Sequence, residues 1–347
     1  MNKAKKYAVN GAIVGGIFNG LLNIFEQLYT KHPNEDFDWD ELILDFGTGV
    51  VVGGGIGFTY GTIKDWQMSK IMEDAGDLSD YVEHVSESYE VTDFTLKQKA
   101  KQVRRDINEV FSHLLVKYPS LNGSIVKGTS IEGSDIDIVL NFSRYSGTIA
   151  EIFEEVNDYF RYEYDDVDLR KVRTQRCSVG LIFNADGEKK RIDIVPVRDT
   201  GKGTGDAYLN INDGSIFRKS TTIKKTNVSK QLSSLKFTAK QKELIRRIKI
   251  LRKEHNLPIK PIHIEFLAKR AFEKVRLSRS ADKSLFQILG YIGQNVTTAR
   301  IVDPANSNNI ISDIIDMNEK EQVRDFCTKM IKEVAKDERN IIDYLSS

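Results

Sequence analysis

Hydrophobic and polar residues follow two different periods along the chain, and each period predicts a type of element. Alternating or β-branched apolar runs at residues 135–140, 178–183 and 191–197 predict three strands. The last two are joined by residues 184–188, whose Asp-Gly pair indicates a hairpin turn. Helical spacing appears at 94–117 and 149–162, and three or more helices are expected from Thr238 onward, ending in 319–345. The pattern predicts an α+β fold, with helices on one side of a twisted sheet and a helical lobe after it.

The first 66 residues have a different pattern. Residues 7–25 and 46–63 are uncharged, glycine-rich segments, each nearly long enough as a helix to cross a bilayer. In the second segment, glycines recur at every fourth position: Gly49, Gly53, Gly57 and Gly61. Small residues at this spacing line one helix face, as they do where membrane helices pack together. We therefore predict a glycine-zipper helical hairpin at residues 1–66, followed by a linker at 67–94.

Two uses of this hairpin remain open. Lysines flank its outer ends and acidic residues occupy its connection, which favours insertion in the inner membrane with both ends, and a catalytic domain, in the cytoplasm. Asparagines within the apolar segments favour the alternative, a soluble helix pair used for self-association.

Composition favours an enzyme in a reducing compartment. The 347 residues are enough for two domains. The chain has only two cysteines, Cys177 and Cys327, too few to indicate a disulfide framework or a zinc site. Net charge is only +1, yet residues 218–279 hold 19 Lys or Arg against 4 Asp or Glu. A block of this kind favours ligands rich in phosphate, although solvated helix faces explain many such charges.

The strongest candidate for chemistry is a pair of aspartates that follows a small turn. Asp135 and Asp137 are alternate residues of a predicted strand, so both lie on one face. Carboxylates this close raise each other's pKa, and a bound dication reverses that cost. Mg²⁺ prefers such oxygen ligands, and two cations about 3.5–4 Å apart can activate a hydroxyl and neutralise departing pyrophosphate. The pair therefore predicts a metal-dependent nucleotidyl-transfer site.

Five other residues complete this prediction. Asp193 is the candidate third carboxylate, because it lies in the middle of a strand between apolar neighbours, where an unpaired charge is costly. The alternative is that all three aspartates face solvent on edge strands. Gly123 permits close approach of the backbone to a triphosphate, and Ser124 can donate to its oxygens. Thr129 and Ser134 can add hydroxyl contacts.

These motifs resemble the polymerase-beta-like nucleotidyltransferase superfamily. The matching motifs are Gly-Ser at 123–124, Gly-Thr at 128–129, Gly-Ser-Asp-x-Asp at 133–137 and Asp-Ile-Val-Pro at 193–196. The spacing is most similar to the branch that holds archaeal CCA-adding enzymes, oligoadenylate synthases and the bacterial cGAS/DncV-like nucleotidyltransferases (CD-NTases) of CBASS antiphage systems. Later stretches at 244–249, 263–267 and 301–309 are similar to its helical lobe and its Asp-Pro…Asn segment.

The resemblance implies a ligand for each candidate residue. Two Mg²⁺ ions, or Mn²⁺, would be held by Asp135, Asp137 and Asp193. The triphosphate would contact Gly123 and Ser124. Lys249 matches a lysine that the family uses on donor phosphates, although a solvated charge on a basic helix is the alternative.

We place the catalytic domain at residues 95–217 and the helical lobe at 218–347. The family often has an aromatic residue and a proline-containing turn beyond the third acid. This chain has Tyr208 and Phe217 but no proline between Pro196 and Pro258, which leaves base recognition open.

Three functions follow as hypotheses. The first is a synthase that joins NTPs into a cyclic or linear oligonucleotide second messenger for antiphage defence, with no stable tRNA partner because little chain remains to bind a tRNA body. The second is nucleotidyl transfer to an RNA end, a protein or a small molecule. The third is a membrane-active or self-associating hairpin that a nucleotide-binding domain regulates.

Overall fold

The computed structural model describes residues 94–185, 188–212 and 221–345. These residues form two compact units. One unit comprises residues 94–238 and 302–309 and contains the sheet, whereas the other comprises residues 239–301 and 310–345 and is helical. The α+β fold class predicted from the sequence is confirmed. The glycine-rich segments at 7–25 and 46–63 lie outside the described residues.

Within the described residues, the first unit contains a seven-stranded sheet. Its strands are β1 Ser120–Asn122, β2 Ile136–Phe142, β3 Leu169–Thr174, β4 Val179–Ala185, β5 Glu188–Asp199, β6 Ala207–Asn212 and β7 Thr221–Thr226. The order is β1-β2-β5-β4-β3, and β6 pairs with both β5 and β7. Only the pairing of β2 with β5 is parallel among these strands. The predicted hairpin is confirmed, since Ala185 of β4 pairs with Glu188 of β5.

The core of this unit lies between one face of the sheet and two amphipathic helices, α1 Phe94–Phe111 and α3 Ile149–Asp158. Helix α3 begins at a capping box formed by Thr148 and Glu151, and a π-helical turn, Tyr159–Glu163, continues it. The prediction that α1 reaches residue 117 is wrong. The chain turns after Phe111, and the Val116 N–H donates to Asn141 O at 2.8 Å, so this segment joins the sheet edge instead.

The remaining helices of the sheet unit are short, α2 Gly123–Lys127 and α4 Val228–Ser234. Two small strands, β8 Val302–Asp303 and β9 Asn306–Ile310, contain the Asp-Pro…Asn segment. There the Asp303 carboxylate accepts from the Ala305 N–H at 2.9 Å and from Asn309 Nδ2 at 3.0 Å.

The helical unit contains α5 Ala239–Glu254, α6 Pro261–Lys274, α7 Ala281–Asn295, α8 Met317–Lys336 and α9 Ile342–Leu345. The boundary predicted at residue 217 falls in an undescribed stretch, and β7 beyond it still pairs in the sheet. None of the helices in the described ranges has both the length and the apolar content that crossing a bilayer requires.

Candidate active site

The parallel pairing of β2 with β5 brings the predicted acids together. Asp137 is the register partner of Asp193. The neighbouring isoleucines of both strands, Ile136, Ile138, Ile192 and Ile194, belong to the core under α1 and α3. Because strand side chains alternate between faces, the two aspartates lie on the opposite face, and Asp135, two residues before Asp137, lies on that side as well.

A transverse row of residues crosses the sheet at the level of these acids. The register places Asn122, Asp137, Asp193, Gly180 and Arg173 side by side on β1, β2, β5, β4 and β3. Cross-strand partners share a face, so this row lines the acidic face of the sheet. The Asn122 Oδ1 atom is buried without a hydrogen-bond partner among the described residues.

Gly180 makes room in this row for a side chain that sequence analysis missed. Gln175 reaches across Gly180 and its Nε2 donates to Asp193 Oδ1 at 2.9 Å. A Cβ atom at position 180 would lie 2.1 Å from Gln175 Nε2. Glycine is therefore required for Gln175 to hold the third carboxylate. A glycine in a strand opposite a candidate acid is the signal that could have indicated this contact.

Gly123 begins α2 and lies directly against the carboxylate of Asp137. Its φ is +74°, and a Cβ at this position would lie 1.9 Å from Asp137 Oδ2. Gly123 thus permits a close approach of the backbone to a metal-ligand candidate, and its contact with a triphosphate stays a prediction. Ser124 follows in the first turn of α2, where its carbonyl accepts from the Thr129 N–H at 3.0 Å.

The other two predicted hydroxyl contacts lie in the segment that connects α2 to β2. Thr129 is fully buried. The Ser134 hydroxyl accepts from the Ile131 N–H at 3.0 Å, while the Ser134 N–H donates to Ile131 O at 3.0 Å. These two bonds close the turn that leads to Asp135. For both residues, nucleotide contact stays a prediction.

Burial and mutual repulsion make the acids of this face hard to ionise. Burial, followed by the charges of Asp193 and Asp135, raises the pKa of Asp137 to about 6. The pKa of Asp135 is also raised to about 6, mainly by burial and against the opposing charge of Arg191. Burial raises the pKa of Asp193 too. Carboxylates with raised pKa values that lie close together on a partly exposed face are typical of sites that bind a cation.

Arg191 is a cation of the chain itself that contacts two of these acids. It lies two residues before Asp193 on β5 and therefore on the same face. Its Nη2 donates to Asp135 Oδ2, and its Nε lies 3.2 Å from Asp193 Oδ1. Sequence analysis missed this residue, because nothing in the local sequence distinguishes it from the other arginines.

The donor set fits divalent cations by its chemistry and by its backbone placement. Asp137 and Asp193 are register partners on adjacent strands, which lie about 4.8 Å apart, and Asp135 directly precedes one of these strands on the same face. Carboxylate oxygens are the ligands that Mg²⁺ prefers. Among the described residues, no three His, Cys, Asp or Glu side chains lie close enough together to hold a metal ion in their present rotamers. Arg191 pairs instead with two of the three aspartates.

Lys249 lies in the helical unit, on α5. Its Nζ forms an ion pair with Glu265 Oε1 of α6 at 2.7 Å, and the two side chains are only 4% and 1% exposed. The alternative of a solvated charge is therefore wrong for this lysine. Its contact with donor phosphates stays a prediction.

Comparison with known proteins identifies the class of fold. Neither a protein-family model nor a curated protein matches the sequence. Among solved structures, the chain is similar to CdnC of Escherichia coli MS115-1 with ATP, at 17% identity and a TM-score of 0.59, over 77% of this chain and 96% of that one. It is also similar to the CD-NTase CdnG of Bradyrhizobium diazoefficiens in complex with GTP, at 12% identity and a TM-score of 0.59, over 77% and 94%.

A third similar structure is mtPAP in complex with ATPγS, at 12% identity and a TM-score of 0.54, over 81% of this chain and 72% of that one. The fold is therefore that of the polymerase-beta-like nucleotidyltransferases, as the motifs predicted. Within that class, the solved structures that resemble the chain include CD-NTases.

Proposed function

We propose that this protein is a Mg²⁺-dependent nucleotidyltransferase that joins NTPs into a cyclic or linear oligonucleotide, acting as a second messenger in bacterial antiphage defence. The observation that carries the proposal is the pairing of Asp137 with Asp193 on parallel strands, with Asp135 on the same face and Gly123 packed against Asp137. Binding alone does not need three carboxylates at one place, so the arrangement favours a catalyst over a nucleotide sensor.

Each residue has a role in this proposal. Asp135, Asp137 and Asp193 would hold the two cations, which neutralise charge on the triphosphate and lower the pKa of the attacking hydroxyl. Asp193 would also orient that hydroxyl, since Gln175 fixes its carboxylate from the side of β4. Gly123 keeps the Asp137 oxygens next to α2. Ser124 and the turn before Asp135 would contact the triphosphate.

Radiolabelled NTPs, incubated with the full chain and Mg²⁺, test the proposal. We expect labelled products larger than the NTP, and one pyrophosphate released for each phosphodiester bond formed. Product that resists phosphatase has no terminal phosphate and is cyclic. Asp137→Asn should abolish product, whereas the matched variant Asp199→Asn, at the far end of β5, should retain it. Wild-type protein that releases no pyrophosphate from any NTP mixture would refute the activity.

Transfer to an RNA end is the second candidate, and the basic edge of the sheet favours it. Lys171 and Arg173 of β3 are exposed and pair with residues on the acidic face of β4. They present positive charge on the face of Asp193, two strands away from it, where the phosphates of an acceptor strand could lie. The fold likeness to mtPAP is consistent with such a substrate. Addition of short RNA to the same assay distinguishes the candidates, because an RNA acceptor would be lengthened.

The roles of residues 7–25 and 46–63 stay predictions, because both segments lie outside the described residues. Flotation of the full chain with lipid vesicles, compared with a chain that starts at Ser69, tests the proposed anchor in the inner membrane. A full chain that stays with soluble protein but sediments as an oligomer would favour self-association instead.

A further inference from the structure

The site contains a positive group between two of the proposed metal ligands. Arg191 bridges the first and third acids, through Nη2 to Asp135 and through Nε, at 3.2 Å, to Asp193. It engages one oxygen of each carboxylate, Asp135 Oδ2 and Asp193 Oδ1, and both carboxylates are proposed metal ligands. A guanidinium in this position opposes a divalent cation on the same carboxylates, because like charges repel and the ion needs its ligand oxygens at about 2.1 Å.

The environment of Arg191 permits its release. The side chain is 38% exposed, and that of Asp135 is 35% exposed, so the guanidinium can swing to solvent without opening the core. Its Nε atom is buried and makes no hydrogen bond of good geometry among the described residues, despite the ion pair. The arginine is thus held by charge with incomplete hydrogen bonding, and removing it from the acids breaks no core packing.

We propose that Arg191 is an internal counter-ion that stabilises the metal-free acids and that a divalent cation must displace on binding. This inference rests on the proposed function, since it takes the three aspartates as the metal ligands. Arg191 then sets the affinity for metal: the cation must offset the loss of the arginine's contacts with Asp135 and Asp193. Without the arginine, metal binds more tightly but the metal-free protein is less stable.

Mn²⁺ serves as the probe, with binding measured by calorimetry on the full chain and stability by thermal unfolding with and without the ion. Arg191→Gln should bind Mn²⁺ about tenfold more tightly than wild type, since a charge in contact is removed. Its melting temperature should be lower than wild type without metal and should rise further when Mn²⁺ is added. Arg191→Lys keeps a charge but cannot bridge both acids as a fork, so its affinity should be intermediate.

Arg173→Gln is the matched control. Its charge also acts on Asp193, but from β3, two strands away across Gly180. A general loss of positive charge would affect both variants alike, whereas displacement predicts less than about a threefold change for Arg173→Gln. Equal Mn²⁺ affinities for Arg191→Gln and wild type, or for the two glutamine variants, would overturn the inference.

The same titrations separate this inference from the proposed function. If wild type binds Mn²⁺ and Asp137→Asn does not, the metal site stands, and only the ratio of Arg191→Gln to wild type decides the role of the arginine. If neither wild type nor Arg191→Gln binds Mn²⁺, both the site and the displacement are refuted.

Discussion

Gly123→Ala should inactivate the protein by moving a carboxylate rather than by unfolding the chain. A Cβ at position 123 would lie 1.9 Å from Asp137 Oδ2, whereas real Cβ atoms keep at least 3.0 Å from such neighbours. The oxygen must therefore move by 3.0 − 1.9 = 1.1 Å, or the backbone of α2 must shift by as much. A displacement of about 1 Å in a reacting group can cost about 100-fold in rate.

The stability cost should be much smaller than this loss of activity. The φ of +74° at Gly123 disfavours alanine by about 1–2 kcal/mol. Rotation of the Asp137 side chain relieves the contact itself at a cost of about 1 kcal/mol. Initial rates of pyrophosphate release and the free energy of unfolding in urea measure the two effects separately.

Gly203→Ala provides the matched control. Gly203 has a φ of +66°, but a Cβ there meets no atom within 4 Å. This variant should lose about 1–2 kcal/mol of stability, like Gly123→Ala, and keep its activity. The reasoning is wrong if Gly123→Ala retains more than about a tenth of the wild-type rate, or if both variants lose activity in proportion to stability.

Three further predictions concern buried charges. Asp137→Asn should stabilise the metal-free protein by up to about 3 kcal/mol at pH 7.5, because the pKa of Asp137 is raised to about 6 in the folded chain, and the gain should vanish below about pH 4. Burial lowers the pKa of His263 from 6.5 to about 4, so between these pH values the unfolded chain binds a proton that the folded chain does not. The free energy of unfolding should therefore fall by about 3 kcal/mol as the pH falls from 6.5 to 4. His263→Leu should remove this dependence of the free energy of unfolding on pH. Lys249→Met should cost about 3–5 kcal/mol, since it removes the Lys249 ammonium from the buried Glu265 carboxylate, and Glu265→Leu in the same chain should recover most of the loss.

Urea unfolding over a pH series checks all three. A metal-free Asp137→Asn no more stable than wild type at neutral pH would contradict the repulsion inferred at the acids. If the free energy of unfolding falls equally for wild type and His263→Leu between pH 6.5 and 4, the pKa of the imidazole is not lowered in the folded chain. A loss below about 1 kcal/mol for Lys249→Met would mean that the ion pair is solvated.

Sequence analysis recovered the acids of the site but missed Gln175 and Arg191, which contact them. Asp137 lies in β2 and Asp135 directly precedes that strand, so their alternation alone predicted both on one face. Gln175 and Arg191 are ordinary polar residues in sequence. Their importance depends on Asp193 lying within reach, and for Gln175 also on the missing side chain at Gly180.

The local period of the sequence determined which segments are strands or helices, which face of each is apolar, and that β4 and β5 form a hairpin. It did so because these properties depend on neighbours a few residues apart. Only the tertiary structure decided that β2 runs parallel to β5 with Asp137 opposite Asp193, that Gly123 abuts Asp137, and that β7 joins the sheet. Those pairings join residues far apart in the chain. Packing of the whole sheet on α1 and α3 selects them, and no local pattern encodes the partner.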